Sequence, residues 1–386
     1  MTTYQRLGDY IREVNVRNRD LKVTKPSGIN IDKYLMPSVA NVIGTDLSIY
    51  KLVTKMQFAC NLMHVGRDEK IPMAMHVEDN PIIVSPAYFV FEVVEPNGLL
   101  PEYLMMWFRR PEFDRNAWFY TDADVRGGMD KNALMDMLLP IPSITQQREI
   151  ISEYETLTNR IRLNNQMIQN LEATAQALYR KMFVDGIDKE NLPEGWKVGK
   201  LGDFGDVITG KTPSSDNPED FGAEIPFVTP GDFHNYKKFA IGADRMLSEC
   251  GKHRLKGKVL PVGSVIVTCI GSDMGKVAIA SEDCITNQQM NSIVLTYRED
   301  SDFLFYFLTS MPEELKAMAL GSSTMPLLNK SDFEKIAIPI PPRDMLIEFS
   351  RLLCGVNRSL LLKSKENTKL SELLSLLLAK MGNLKQ

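Results

Sequence analysis

The chain has 386 residues, 44% hydrophobic and 24% charged, with 45 basic against 49 acidic side chains and a formal net charge of −4. That length exceeds one ordinary core and points to two or three domains, while the composition excludes a disordered chain and a fibre. The slightly acidic total excludes a uniformly basic nucleic-acid binder, so any such role has to rest on local charge.

No stretch approaches the roughly 20 apolar residues of a membrane helix. The opening MTTYQRLGDY lacks an apolar signal core, so a cytoplasmic protein is expected. The five cysteines, Cys60, Cys250, Cys269, Cys284 and Cys354, form no CxxC pair and are expected as reduced, mostly buried thiols. His64, His76, His234 and His253 are scattered, so no metal site is expected.

Along the chain the same order of landmarks occurs twice. Leu7-Gly8-Asp9-Tyr10 returns as Leu201-Gly202-Asp203-Phe204, 194 residues later, and Pro140-Ile141-Pro142 returns as Pro339-Ile340-Pro341, 199 residues later. The five-residue mismatch is what loops absorb, and the repeat implies two similar domains. In the first, 82–84 and 88–94 read as strands and Pro101 to Arg109 as a helix. In the second, 264–270, 276–280 and 292–297 read as strands and Asp302 to Leu308 as a helix. Each half is of the α+β class.

After each Pro-Ile-Pro comes a proline-free stretch with a heptad seam. The first carries Ile150, Tyr154, Leu157, Ile161, Asn164, Ile168, Leu171, Ala175, Leu178 and Met182. Adding 199 gives Phe349, Leu353, Val356, Leu360, Lys363, Asn367, Leu370, Leu374, Leu377 and Met381, the same register with two polar breaks. A lone helix would leave its apolar stripe in water, so the two are expected to pair within the chain, most simply antiparallel, with pseudo-twofold symmetry. Asn164, Lys363 and Asn367 would then lie near the middle and fix the register. The expected organisation is a first domain at 1–146, a central spacer helix at 147–184, a second domain at 185–342 and a C-terminal spacer helix at 343–386.

Gly205-Asp-Val-Ile-Thr-Gly210-Lys211-Thr212 satisfies the phosphate-loop formula GxxxxGK[ST]. A phosphate loop needs a buried strand before it and a helix N-terminus after it, whereas Pro213 and Pro218 here bracket an irregular segment, so nucleotide binding by this motif is rejected. Thr209 to Ser215 reads instead as a loop offering one cation and several hydroxyls, with an ordinary surface loop as the alternative. Asn287-Gln288-Gln289-Met290-Asn291 sets four amides beside a strand. Asn and Gln can bond bidentately to adenine, and the same amides can also satisfy buried backbone. Lys237-Lys238 and Lys252 to Lys258 add local positive charge. In the first half the comparable features are Arg67 and Lys70, Arg126 with Gly127-Gly128, and Lys131-Asn132.

The segment nets are −2 for 1–146, +1 for 147–184, −7 for 185–342 and +4 for 343–386. A nucleic-acid reader with so much acid must gather its cations on one face or borrow phosphate affinity from a partner, which predicts weak binding by the chain alone. No GxSxG elbow, Cys–His pair or duplicated carboxylate motif is present, so no catalytic residues are assigned.

Leu192-Pro-Glu-Gly-Trp-Lys197, Gly210-Lys-Thr-Pro-Ser214, Ile225 to Asp232, Gly275-Lys-Val-Ala278, Asn287-Gln-Gln289, Leu328-Asn-Lys-Ser331 and Ile338-Pro-Ile-Pro-Pro342 together resemble the DNA-specificity subunit of type I restriction-modification systems, over nearly the whole chain. The resemblance implies two target-recognition domains, each reading one half of a split double-stranded DNA sequence, held apart by two antiparallel helices. It implies a non-catalytic subunit that joins two methyltransferase subunits and, with restriction subunits, forms an ATP-dependent nuclease complex. S-adenosylmethionine, ATP and Mg would serve those partners, and this chain would hold no cofactor and meet no membrane. The DNA-binding residues it points to are Lys211, Thr212, Ser214, Lys276, Asn287, Gln288, Gln289 and Lys330, with Arg67, Lys70, Arg126 and Lys131 in the first half. There the pattern departs, because Ser85-Pro86-Ala87-Tyr88 stands where the second half has Asn287-Gln288-Gln289-Met290 and the Thr209 to Ser214 loop has no clear counterpart. A helix from about 148 to 182 makes a rod of order 50 Å, a ruler against the roughly 34 Å of one DNA turn. The competing reading from another class is a duplicated scaffold that docks two protein partners without nucleic acid.

Overall fold

The computed structural model describes residues 3–39, 44–63, 65–94, 98–121, 127–188, 190–271, 274–319 and 327–382. They form two compact units, one made of Met1–Ile161 with Leu370–Gln386 and the other of Arg162–Lys369. Each unit therefore owns one globular half and a portion of both long helices, so the helices are not bodies separate from the domains they follow.

The repeated landmarks are the clasps that close each half. In the first unit Thr3–Arg6 pairs antiparallel with Leu138–Ile141, Tyr4 facing Pro140. Leu7–Asp9 then makes a 3-10 turn whose Leu7 N–H donates to Met137 O at 2.9 Å. In the second, Lys197–Lys200 pairs with Ala337–Ile340, Val198 facing Pro339, and Leu201 N–H donates to Ile336 O at 3.0 Å. Proline lacks an N–H and suits a two-stranded edge of this kind, where a missing donor leaves no ladder bond unmade.

Inside each clasp lies the same sheet. The first unit has the strand order Ile11–Glu13, Phe89–Val93, Phe58–Cys60, Met73–Met75, antiparallel throughout. The second has Gly205–Thr209, Met290–Leu295, Val265–Thr268, Val277–Ala280, with Phe239–Ala240 added in parallel at the far edge. The second unit also builds a four-stranded sheet in which Phe221–Val228 runs parallel to Cys284–Thr286. Helix pairs follow in both, Pro101–Phe108 with Pro111–Phe119 and Ser301–Thr309 with Pro312–Ala319. Three of these four helices begin on proline, where the absent N–H is one that no helix bond would use. In the first unit Phe58 stacks on Phe91 at 4.9 Å and Phe108 meets Phe58 edge-on at 5.9 Å, which fastens helix to sheet. Cys60, Cys269 and Cys284 are buried thiols, while Cys250 and Cys354 are exposed.

The spacer helices span Ile144–Phe183 and Arg343–Met381, 40 and 39 residues, or about 60 Å each. Every seam position is buried or half-buried. In the first unit Ile150 and Tyr154, at the start of one helix, share a core with Leu378 and Met381 at the end of the other. In the second, Tyr179 and Phe183 share a core with Phe349 and Leu353, with Phe183 edge-on to Phe349 at 5.0 Å. These pairings are antiparallel. The polar breaks meet as the register requires: Asn164, 3% exposed, donates from Nδ2 to Asn367 Oδ1 at 3.0 Å, and Asn367 Nδ2 donates to Asn165 Oδ1 at 2.8 Å. Lys363 leaves the seam to pair with Glu366 at 2.8 Å.

A buried ion pair holds the C-terminal helix to the second unit's sheet. Lys238 Nζ, 1% exposed, donates to Asp302 Oδ1 and, at 2.8 Å, to Asn357 Oδ1, while Asn357 Nδ2 returns bonds to both Asp302 oxygens. Burial pushes the Lys238 ammonium down from its ordinary pKa and the Asp302 carboxylate opposes that. Breaking such a pair on one side leaves an uncompensated charge in the core, so Asp302→Ala is expected to destabilise the fold by about 3–5 kcal/mol. Lys238→Met with Asp302→Leu, which removes both charges, should cost far less. Denaturant unfolding of the two variants checks the order.

Candidate nucleic-acid interface

In the second unit the strand Gly205–Thr209 forms one edge of the sheet and runs into the irregular segment 210–217. The next element is a single 3-10 turn, Pro218–Asp220, so no α-helix N-terminus follows the Gly210-Lys211-Thr212 loop as a phosphate loop requires. The glycine has another reason. A Cβ at Gly210 would run into the carbonyl oxygens of Thr286 and Asn287, because the loop is laid directly on the turn between two strands. Lys211 N–H donates to Thr286 O at 2.9 Å, Gly210 N–H to Met290 O at 3.2 Å, and Thr212 Oγ1 donates to Gln288 Oε1.

The Asn287-Gln288-Gln289 turn is thereby clamped from one side and organised from within. Asn287 Oδ1 accepts from Gln289 N–H at 3.0 Å, and Asn287 Nδ2 donates to Gln289 Oε1 at 3.1 Å. Gln289 O accepts from Cys269 N–H at 2.8 Å. Gln288 stays exposed, as does Lys211, whose ammonium meets no carboxylate among the described residues. Beside this turn lies the third loop, where Ile270 bridges to Leu327 and Leu328 N–H donates to Cys269 O at 3.0 Å. Lys330 opens the short helix Lys330–Glu334, capped by Asn329, and pairs with Glu334 at 3.4 Å.

The sequence-derived residues therefore divide. Lys211, Thr212, Asn287, Gln288 and Gln289 come together. Lys330 follows Leu327 and Leu328, which join the same group of loops. Ser214 is engaged locally, its hydroxyl donating to Asp216 Oδ2 at 3.2 Å. Lys276 lines a cavity against the central helix, and its backbone N–H donates to Thr268 Oγ1 at 2.9 Å. The positive runs are also mostly spent. Lys238 is buried, Arg254 pairs with Glu219 and Asp220 at 3.1 Å, and Lys258 Nζ donates to Thr209 O at 2.9 Å. Asn291, not singled out as a site residue from the sequence, is buried, accepts from Thr209 Oγ1 at 2.7 Å and donates to Leu328 O at 2.9 Å, tying two of the three loops to one side chain and satisfying backbone as the alternative reading of the amide run has it. Its place inside the Asn-Gln-Gln-Met-Asn run was the only available signal.

The first unit repeats this layout with other side chains. Ser85 to Tyr88 joins Ile82–Val84 to Phe89–Val93 just as Asn287 to Gln289 joins Cys284–Thr286 to Met290–Leu295. Met129 N–H donates to Leu62 O at 2.9 Å, the counterpart of the Leu328–Cys269 bond, and Met129 bridges to Thr121. Lys131 sits here, 2.8 Å from Glu13 and over the Phe89 ring. Lys70 pairs weakly with Asp32 at 3.7 Å. Arg67 lies in the single helical turn Val65–Asp68, and Arg126 lies outside the described residues.

Residues 193–345 match the family model of the type I restriction modification DNA specificity domain. Over 368 residues the chain is 28% identical to the type I restriction enzyme HindI specificity subunit of Haemophilus influenzae, covering 76% of this chain and 79% of that one. The matched segment is a type I specificity domain, and the chain is similar to type I specificity subunits over three quarters of its length. It is also 21% identical to a putative type I restriction enzyme MjaX specificity subunit of Methanocaldococcus jannaschii, over 90% of this chain and 82% of that one. The fold matches the crystal structure of a type I restriction-modification S subunit from M. genitalium with a TM-score of 0.64 at 11% identity, covering 100% of this chain and 97% of the other. No described helix is long and apolar enough to cross a membrane, and no described group of three His, Cys, Asp or Glu side chains could hold a metal.

The glycine contact yields a test. Gly210→Ala keeps Lys211 and Thr212 but forces the loop off the Thr286–Asn287 backbone, an overpacking expected to cost about 1–3 kcal/mol, measured by thermal unfolding.

Proposed function

We propose that this specificity subunit reads a bipartite double-stranded DNA target, each unit contacting one half-site through its three clustered loops. The observation that carries the reading is the duplicated frame with unlike contents: the sheet order and two of the loops recur in both units, but one turn bears Ser85-Pro86-Ala87-Tyr88 and the other Asn287-Gln288-Gln289. A shared frame with different polar groups is what recognition of two different half-sites needs. Exposed Gln288 and Lys211 are placed for a base edge and a phosphate respectively. With few unpaired cations at these loops among the described residues, phosphate affinity would come largely from partners, and two modest readers on one chain gain specificity by acting together.

The chain is not itself the enzyme; specificity subunits bind DNA and assemble with other restriction-modification subunits. The finer assignment is two methyltransferase subunits docked per chain, joined by restriction subunits in the full complex. S-adenosylmethionine, ATP and Mg would belong to those partners. The spacer helices carry exposed Leu163, Met167 and Leu362 outside the seam, apolar surface suited to partner helices.

Gln288→Ala or Lys211→Ala, assembled with the methyltransferase subunits, tests the reading. Gln288→Ala should relax one position of one half-site, losing about tenfold or more in discrimination, while the other half-site is unchanged. Lys211→Ala should weaken binding evenly across sequences and flatten the salt dependence. Selection from randomised duplexes reads both, and equal loss in both half-sites would contradict the assignment.

A further inference from the structure

The second unit contains a cavity of about 770 Å³, within the range of small-molecule sites, between the C-terminal part of the central helix and the helix Ser301–Thr309. Its walls are aromatic, with Tyr179, Phe183, Tyr236, Phe305 and Phe307 among them. Several polar groups in it lack partners. Tyr306, 6% exposed, keeps a buried hydroxyl with no hydrogen-bond partner among the described residues. Glu172, Gln176 and Lys237 make no hydrogen bond or ion pair with any described residue. Burial raises the pKa of Glu172, against the pull of Lys237 and Lys238.

The duplication shows that the fold does not require this lining. The 199-residue offset that superposes the two seams maps Glu172 onto Ser371, Gln176 onto Ser375, Tyr179 onto Leu378, Arg180 onto Ala379 and Phe183 onto Gly382. One copy of the helix carries the carboxylate, the amide, the cation and two rings, and its twin, serving the same structural task, carries none of them. Leaving a tyrosine hydroxyl buried and unmatched is costly, so a group that supplies its partner is the economical explanation.

Three features define the occupant. The aromatic walls select a flat ring. The acceptors Glu172 and Gln176, beside Tyr306 Oη, select one bearing N–H donors. Lys237, without an ion-pair partner among the described residues, and Arg180, 3.6 Å from Asp185, place two cations at the polar end of the lining, which suits an anionic group. We infer that this cavity is a binding site for a purine nucleoside phosphate, with the base between the aromatic side chains, its amino group toward Glu172 and its phosphate toward Lys237 and Arg180. The site is separate from the Gly210-Lys211 loop and goes beyond the DNA-reading role.

The test is fluorescence titration of the full chain with a ribose-labelled methylanthraniloyl adenosine monophosphate, followed by competition. Saturable binding displaced by AMP, but not by inorganic phosphate or ribose 5-phosphate, is expected. Tyr306→Phe, which keeps the ring, and Glu172→Gln should each weaken the probe about tenfold. Lys237→Ala should weaken AMP while leaving adenosine unchanged. No saturable binding up to about 1 mM probe, or binding indifferent to Tyr306→Phe and Lys237→Ala, would overturn the inference. Unchanged thermal unfolding of Tyr306→Phe confirms that the fold is intact. The assay reads nucleotide rather than duplex, so its failure leaves the DNA assignment standing.

Discussion

One seam governs this molecule. Two helices of 40 and 39 residues each carry an apolar stripe that water would penalise, and each buries it on the other. The partner is supplied by the same chain, so the pairing needs no second molecule, and duplication of the whole domain-plus-helix unit makes the two stripes complementary. Apolar knobs alone tolerate slippage. The Asn164–Asn367 hydrogen bond is satisfied in one register only, and a one-heptad shift would leave the buried Asn164 amide without this partner. Toward the ends, aromatic and aliphatic clusters join the seam to each domain's own core, as Phe183, Phe349 and Phe303 do in the second unit. Helix and domain are consequently one cooperative structure.

Onto this frame the units place unlike loops. The strand order from Ile11 and from Gly205 is the same for four strands, and equivalent backbone hydrogen bonds hold the third loop in both. What differs is what the turns display and how they are braced. In the second unit Asn291 sits buried behind the loops and holds two of them, at Thr209 and Leu328, while Gln288 and Lys211 stay exposed. The Gly210-Lys211-Thr212 run shows how a formula can mislead: its glycine answers to two carbonyl oxygens of the neighbouring turn and not to a phosphate.

What was legible in the sequence follows from the range of each signal. The seam was legible because its information is local and periodic over ten positions. The Leu-Gly-Asp and Pro-Ile-Pro landmarks were legible as repeats, though their purpose, pairing the first strand of each domain with its last, depends on contacts over 130 residues apart and appeared only in the fold. The strand Phe221–Val228 and its parallel pairing with Cys284–Thr286 were not read, since such a pairing leaves no short-range pattern. Lys276, sharing a motif with loop residues, also lines the cavity against the central helix, a placement that no sequence neighbour announces. Lys238 looked like surface charge and is buried against Asp302, a partner no sequence neighbour announces.

The proposed bipartite reading takes the paired helices as the spacer between two half-sites. Inserting one heptad at matched positions in both helices preserves the seam and adds about 10 Å of rise, or about three base pairs of duplex. Mapping the methylated adenines in DNA modified by the complete system gives the answer directly. The same two half-sites separated by a gap about three base pairs longer is the predicted result; an unchanged gap, with both half-sites retained, would contradict the account.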